Sequence, residues 1–175
     1  MINARVFIGI DPDVDKSGVA RLDVTEKGAE LALCSLCLRD LLFLLMKARD
    51  EVSRGGLRCS VVVEAGWRNK GNWHVRWHDT NRLACAKGYQ VGRNHEAGRK
   101  IVEMASALGF RVEEVKPLRK GWRGRDGKIT SEELAYFTGY KGRSSQDARD
   151  AALLAWDAAG LPVVMMPKKS NNITK

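Results

Sequence analysis

Two short apolar runs, each followed directly by a carboxylate, constrain the fold of this chain more than any other feature. Residues 6–10 (Val-Phe-Ile-Gly-Ile) precede Asp11, and residues 61–63 (Val-Val-Val) precede Glu64. Short runs rich in β-branched residues are typical of buried strands. The second run, within a strand predicted over residues 59–64, is continuously apolar, which indicates a parallel strand covered on both faces. We therefore predict a sheet in which two strands end on acidic residues.

The remaining pattern completes an α/β order of elements. Loose alternation predicts strands over residues 18–24 and 30–38, and an apolar stripe predicts a helix over residues 38–52. A helix over 93–108 and a strand over 110–115 follow, then a short helix from a capping box at 130–133 and a last helix from Ser144 or Ser145 to residue 159. This order, a three-strand meander and then two βα units, predicts a five-stranded mixed sheet with helices on both faces. The first, fourth and fifth strands are expected at its centre.

One domain is expected over residues 1–162, because the chain has 175 residues and a domain typically has about 100–200. The segment 163–175 is expected to be a polar, disordered tail. No export signal is predicted, and the longest apolar stretch, 31–46, is interrupted by Arg39 and Asp40. The protein is therefore expected in the cytoplasm, with no membrane partner.

Positive charge is concentrated in the middle of the chain. The net charge is +9, and residues 54–143 contain 19 basic and 9 acidic residues. A solvated basic face with no partner would also give this charge, but tryptophans interleaved with the cations favour nucleic acid. The candidates for phosphate or base contact after the fourth strand are Trp67, Arg68, Lys70, Trp73 and Arg76. A second basic cluster, which follows the fifth strand, contains Lys116, Arg119, Lys120, Arg123, Arg125 and Lys128.

The acidic residues at the ends of the chain are expected to meet at one edge of the sheet. Adjacent parallel strands deliver Asp11 and Glu64 to the same edge. Asp147 and Asp150 are three residues apart in the last helix and therefore share one face. Converging carboxylates repel one another, and Mg²⁺ ions held by carboxylate oxygens relieve this repulsion. Taken singly, Asp147 could instead complement the helix dipole, and Glu64 could be a surface residue.

Three segments resemble the acidic motifs of RuvC-type Holliday junction resolvases, which belong to the retroviral-integrase/RNase H-like superfamily. The segments are residues 7–12 (Phe-Ile-Gly-Ile-Asp-Pro), 63–67 (Val-Glu-Ala-Gly-Trp) and 146–152 (Gln-Asp-Ala-Arg-Asp-Ala-Ala). Their order agrees with that family over roughly residues 4–160. The resemblance implies an RNase H-like fold and a homodimeric endonuclease that cuts four-way DNA junctions symmetrically. It also implies dependence on Mg²⁺, with Asp11, Glu64, Asp147 and Asp150 as metal-binding catalytic residues. Two Mg²⁺ ions per site, replaceable by Mn²⁺, are expected, because a pair of ions activates a water and stabilises the leaving oxygen in phosphodiester cleavage.

Two departures from the family pattern leave the substrate open. The tryptophan-rich loop over residues 67–82 is longer than usual, and residues 118–128 look like an insertion, as in divergent, phage-type members; for a phage-encoded chain the cytoplasm would be that of the host. One alternative is an RNase H-like nuclease acting on forks, flaps or RNA–DNA hybrids. Another is a non-catalytic module that binds branched DNA, although the presence of all four acidic residues argues against it.

Overall fold

The computed structural model describes residues 5–70, 75–118 and 121–167. Within these ranges the order of elements predicted from the sequence is confirmed. The strands and helices are β1 (Arg5–Asp11), β2 (Ser17–Thr25), β3 (Gly28–Leu36), α1 (Leu38–Gly55), β4 (Arg58–Glu64), α2 (Asn81–Ala107), β5 (Arg111–Val115), α3 (Ser131–Thr138) and α4 (Gln146–Ala158). Short 3-10 turns lie at Gly66–Arg68 and Arg125–Gly127.

The five strands form one mixed sheet in the order β3-β2-β1-β4-β5. Strands β1, β2 and β3 are an antiparallel meander, whereas β4 is parallel to β1 and β5 is parallel to β4. The predicted α/β fold class, a five-stranded mixed sheet with helices on both faces, is confirmed. The expectation that β5 is central was wrong, because β5 lies at an edge. Its sequence, in which Arg111 and Glu113 are exposed, lacks the apolar residues that a strand between two others requires.

Side chains of β1 alternate between two hydrophobic layers. Val6, Ile8 and Ile10 pack in one core with residues of α1 and α2, and Phe7 packs in a second core with residues of α4. Because successive side chains of a strand point to opposite faces, Asp11 lies on the same face as Phe7, toward α4. The fold thus directs the carboxylate at the end of β1 toward the last helix.

Helix α2 is longer than the sequence predicts, beginning at Asn81 rather than near residue 93. The side chain of Thr80 caps it by accepting a hydrogen bond from the Leu83 amide at 3.3 Å. Gly88 and Gly92, which disfavour helix, obscure the periodicity of its first half. Although α2 has 27 residues, neither it nor any other helix in the described ranges is apolar enough over such a length to cross a membrane.

The chain after α4 continues to residue 167 without regular structure. The indole nitrogen of Trp156 donates to the Pro162 carbonyl at 3.1 Å. The guanidinium of Arg123 donates to the carbonyls of Met166 and Pro167. Residues 168–175 lie outside the described ranges, and the domain boundary after residue 162 stays a prediction.

Candidate functional site

Two glycines of the sheet allow α4 to pack directly on the strand backbones. A Cβ built on Gly9 would collide with the carbonyl oxygen of Ala151, and one on Gly18 would collide with the backbone of Asp147. Gly18 is also the residue that pairs with Asp11 across β1 and β2. The first turn of α4 therefore lies over the end of β1, which brings Asp147 to Asp11.

The first turn of α4 is held in place by hydrogen bonds to the loop before it and to the segment before α3. The Ser145 side chain caps the helix by accepting from the Ala148 amide at 3.1 Å. Arg149 donates to the Ser144 carbonyl at 2.8 Å and to the Ile129 carbonyl at 3.1 Å. These bonds fix the helix start from which the acidic side chains project.

Three carboxylates converge at this point. Asp11, Asp147 and Asp150 each offer an oxygen within 4.8 Å of the others, so that the three could hold one metal ion. Glu64 is outside this set but ends β4, directly beside β1 in the register that pairs Ile10 with Val63. The four predicted residues thus occupy one edge, three of them in direct proximity and the fourth alongside.

The electrostatics of the cluster favour a bound cation. Burial, followed by the charges of Glu64, Asp147 and Asp150, raises the pKa of Asp11 well above its ordinary value. Burial is also the largest cause that raises the pKa of Asp147, with Asp150 adding to it. Burial and mutual repulsion both disfavour the ionised form of these carboxylates. A divalent ion would relieve both effects, because it supplies positive charge beside them.

Lys128, predicted from the sequence to contact phosphate, lies in the acidic cluster itself. Its Nζ is 3.5 Å from Oδ2 of Asp150, and its charge lowers the pKa values of Asp11 and Asp147. A compact turn presents it, in which the Gly124 amide donates to the Lys128 carbonyl at 3.0 Å. The sequence shows Lys128 only as one cation of a basic cluster, because nothing in it reveals the contact with α4.

The turn that presents Lys128 is anchored on both sides. Trp122 stacks on Phe137 with the ring centroids 5.9 Å apart, and Phe137 meets the edge of Trp156. Buried Glu133 accepts a hydrogen bond from the Arg123 amide at 3.1 Å. A loop fixed in this way holds its cation over the site instead of leaving it free to move in solvent.

Trp67, predicted to bind DNA, is partly buried and packs against α2. A Cβ on Gly98 would collide with its ring, and its indole nitrogen donates to Oε2 of Glu114 at 2.9 Å. The guanidinium of Arg68 donates to the Glu114 carbonyl. Both residues therefore brace the end of β4 in this structure, and a direct role of either in DNA binding stays a prediction.

The other predicted contact residues divide into three groups. The exposed ones are Lys70, Arg76, Lys116 and Arg125. Arg123, as described above, holds the segment after α4. Three of them, Trp73, Arg119 and Lys120, lie outside the described residues.

Asn94, a residue that no sequence motif singles out, ties α2 to the site. Asn94 donates to Oδ2 of Asp13 at 3.0 Å and accepts from the Val14 amide at 3.3 Å. Asp13 is close enough to the cluster to raise the pKa of Asp147. Since 80 residues separate the partners, no local sequence signal could have revealed this contact.

Comparison with known proteins finds similar chains among solved structures. No family model matches the chain, and no curated protein sequence does. Among solved structures the chain is similar to T. thermophilus RuvC in complex with a Holliday junction substrate, at 15% identity and a TM-score of 0.42, covering 89% of this chain and 96% of that chain. It is similar to the Fowlpox virus resolvase in complex with Holliday junction DNA at the same identity and TM-score, covering 89% and 97%. An Aquifex aeolicus structure of the Ppx/GppA family is similar at 9% identity and a TM-score of 0.34, covering 69% and 37%.

Replacement of Asp11 by Asn is expected to change how stability depends on pH in the metal-free protein. Because the pKa of Asp11 is raised in the folded state, that state binds more protons than the unfolded chain between the ordinary and the raised pKa. Stability of the wild type should fall as pH rises through this window. Asp11→Asn should thus be more stable than the wild type at pH 7 and nearly equal at pH 4.

Urea unfolding with a chelator present, from pH 4 to pH 8, measures the difference between the two proteins. Titrating groups remote from the cluster are common to both proteins and cancel, so the difference reports Asp11 together with the carboxylates whose charges influence it. An equal slope for both proteins would contradict the interpretation of the cluster as mutually repelling carboxylates.

Proposed function

We propose that the protein is a metal-dependent, structure-specific endonuclease that resolves four-way DNA junctions by hydrolysis of phosphodiester bonds. The observation that carries the proposal is the convergence of Asp11, Asp147 and Asp150, with Glu64 alongside, at the carboxyl end of β1. The resemblance of the three acidic motifs to those of RuvC-type resolvases supports the choice of substrate. The net charge of +9 is consistent with a polyanionic partner.

The donor set suits hard divalent cations. Carboxylate oxygens are the ligands that Mg²⁺ prefers, and Mn²⁺ accepts the same ligands. Asp11, Asp147 and Asp150 would hold the metal, and Glu64 would extend the site to a second ion. A pair of such ions supplies an activated water and stabilises the leaving oxygen of a phosphodiester.

The protein's own side chains position the DNA. The Lys128 ammonium, paired with Asp150 in the absence of DNA, can turn to the scissile phosphate and stabilise its negative charge. The exposed cations Lys70, Arg76, Lys116 and Arg125 are available for phosphates on either side of the cut. We propose a homodimer as the active form, because two symmetric cuts in a junction require two sites.

Cleavage of synthetic substrates tests the proposal. A four-way junction, a fork, a flap, an RNA–DNA hybrid and a plain duplex would be incubated with the protein and Mg²⁺ or Mn²⁺. We expect paired, symmetric cuts in the junction and little cleavage of the duplex. Preferential cutting of forks, flaps or hybrids would identify that structure, and not the four-way junction, as the substrate. Junction binding without cleavage at any metal concentration would indicate a binding module.

Loss of the Lys128 ammonium is expected to slow cleavage more than it weakens binding. Lys128→Ala removes a cation fixed at the site and should reduce the cleavage rate about 100-fold, the scale for one preorganised electrostatic group. It should also flatten the log–log salt dependence of junction binding by about 0.9, the contribution of one phosphate contact.

Lys27→Ala is the matched control, because it removes the same charge from the exposed turn at the opposite end of the sheet. Single-turnover cleavage and salt-dependent anisotropy separate the two effects. Equal behaviour of the two variants would show that Lys128 is not part of the site.

A further inference from the structure

A short turn before α2 presents a tryptophan almost completely to solvent. The Trp77 side chain is 96% exposed, the largest exposure among the large apolar residues of the described ranges. His78 meets its ring edge-on, with the centroids 5.5 Å apart. A single exposed apolar residue is common on protein surfaces, so its meaning depends on the segment that presents it.

Hydrogen bonds hold the turn that presents Trp77, so the exposure of the indole does not come from a loose segment. The Asp79 side chain is only 4% exposed and accepts from the Arg76 amide at 2.7 Å and from Lys87 Nζ at 2.8 Å. These two bonds, the backbone one first, lower the pKa of Asp79, so that the carboxylate that closes the turn is ionised. The turn is thereby fastened to the second turn of α2.

The position of the turn follows from the direction of α2. Asn94 is bound to the β1–β2 loop beside the acidic cluster, while α2 begins 13 residues earlier, at Asn81. At a rise of 1.5 Å per residue, this first part of α2 extends about 20 Å from Asn94. Ile101 and Ala105 pack under the sheet, so residues 81–93 extend past the edge that carries the carboxylates. We call residues 75–93 the arm.

The arm has the chemical character of a nucleic-acid contact. It contains four basic residues and one acidic residue, and no acidic residue lies in the first turn of α2. Basic residues suit phosphates, but phosphates do not require an exposed indole. A flat aromatic ring beside Arg76 is the combination that binds an unstacked base and its own phosphate together.

We propose that Trp77 stacks on an unpaired base of the branched DNA substrate, with Arg76 binding the adjacent phosphate. The contact would lie beyond the start of α2, which is about 20 Å along the helix from Asn94, and this length corresponds to about six nucleotides of a strand at 3.4 Å per nucleotide. It is therefore separate from the scissile phosphate and serves to select substrates that contain unpaired bases. This inference rests on the proposed function for the identity of the substrate.

Binding measurements on an inactive background test the proposal. Fluorescence anisotropy would compare Asp11→Asn with the same protein carrying Trp77→Ala or Trp77→Phe, on a four-way junction, a single strand and a blunt duplex. The matched control is Phe43→Ala, which removes an exposed aromatic (61%) from α1. Thermal melting should show no change for Trp77→Ala, since apart from the edge contact with His78 the side chain faces solvent.

Trp77→Ala is expected to weaken binding of the junction and of the single strand about fivefold or more, the lower end for one base–aromatic contact. Duplex binding should change less than twofold, Trp77→Phe should retain most of the affinity, and Phe43→Ala should match the parent protein. Unchanged affinity for the single strand, or an equal loss on all three substrates, would overturn the proposal. A changed mass of Trp77→Ala in sedimentation would also overturn it, because the ring would then contact a second copy.

The two proposals fail in different assays. The proposed function fails if the wild type cleaves none of the branched substrates. The stacking proposal is judged on the binding of a single strand, which requires no cleavage and no metal. Loss of single-strand affinity in Trp77→Ala would therefore support the base contact even if the substrate were a different branched or single-stranded nucleic acid.

Discussion

Asp11→Asn, Asp147→Asn and Asp150→Asn are each expected to reduce metal-dependent cleavage of a four-way junction at least about a thousandfold, with junction binding retained. The three carboxylates share one site, and Asn keeps the shape of the side chain while removing its charge. Loss of one strong electrostatic group from a preorganised site costs a factor of about 100–1000. A lost metal ligand should lie at or beyond the upper end of this range. Glu64→Gln should also reduce cleavage, because the charge of Glu64 acts on Asp11 and raises its pKa.

Single-turnover kinetics measure cleavage, and anisotropy measures binding of junction DNA. Calorimetric titration with Mn²⁺ measures binding of the metal. Binding of DNA should stay equal or become tighter, because a negative charge near phosphate is removed. Asp157→Asn is the matched control, since this aspartate is exposed in the last turns of the same helix. If two of the three variants cleave at the wild-type rate, the metal site lies elsewhere.

Gly18→Ala is expected to cause a large loss of stability together with loss of cleavage. The added methyl group would meet the backbone of Asp147, which cannot move without displacing α4. Overpacking of a core costs about 1–3 kcal/mol, and a clash with backbone lies at the upper end or beyond it. The midpoint of thermal unfolding should fall by roughly 10 °C, at about 2–4 °C per kcal/mol for a chain of this size. Asp147 would move away from Asp11, so the folded fraction should also cleave slowly.

Gly92→Ala, the same chemical change at another glycine, is expected to stabilise the protein instead of destabilising it. Gly92 is in the exposed part of α2, and a Cβ there meets nothing within 4 Å. Alanine should stabilise the helix by about 0.5–1 kcal/mol. Thermal melting of both variants, with single-turnover cleavage, distinguishes the two glycines. A Gly18→Ala protein as stable as Gly92→Ala would show that α4 does not pack on the sheet as described.

Local signals in the sequence predicted most of the fold. The capping box at Thr130 and Glu133 and the cap at Ser145 are both present, since each depends only on residues three positions apart. The carboxylates at the ends of β1 and β4 could be predicted because parallel strands bring their carboxyl ends to one edge. Edge position of β5 was not predicted, because strand order depends on contacts between segments distant in sequence.

The parts of the site that the sequence did not reveal are long-range packing contacts. Nothing in the sequence distinguishes Gly9 and Gly18 from other strand residues, because their role depends on the packing of α4 against them. Lys128 is one basic residue among several in its segment, and only the turn that presents it brings it to Asp150. The tryptophans of residues 67–77 look alike in sequence, yet Trp67 packs against Gly98 whereas Trp77 faces solvent.

The hairpin between β2 and β3 offers an attachment point for single-molecule work. Thr25 pairs with Gly28 at this turn, while Gly18 pairs with Asp11 at the other end of the same strand. Seven residues of strand separate the two ends, about 23 Å at 3.3 Å per residue. A fluorophore coupled to a cysteine introduced at exposed Glu26 would therefore report on DNA arrival without obstructing the metal ligands. The native thiols Cys34 and Cys85 are themselves exposed, so selective labelling requires their replacement by serine first.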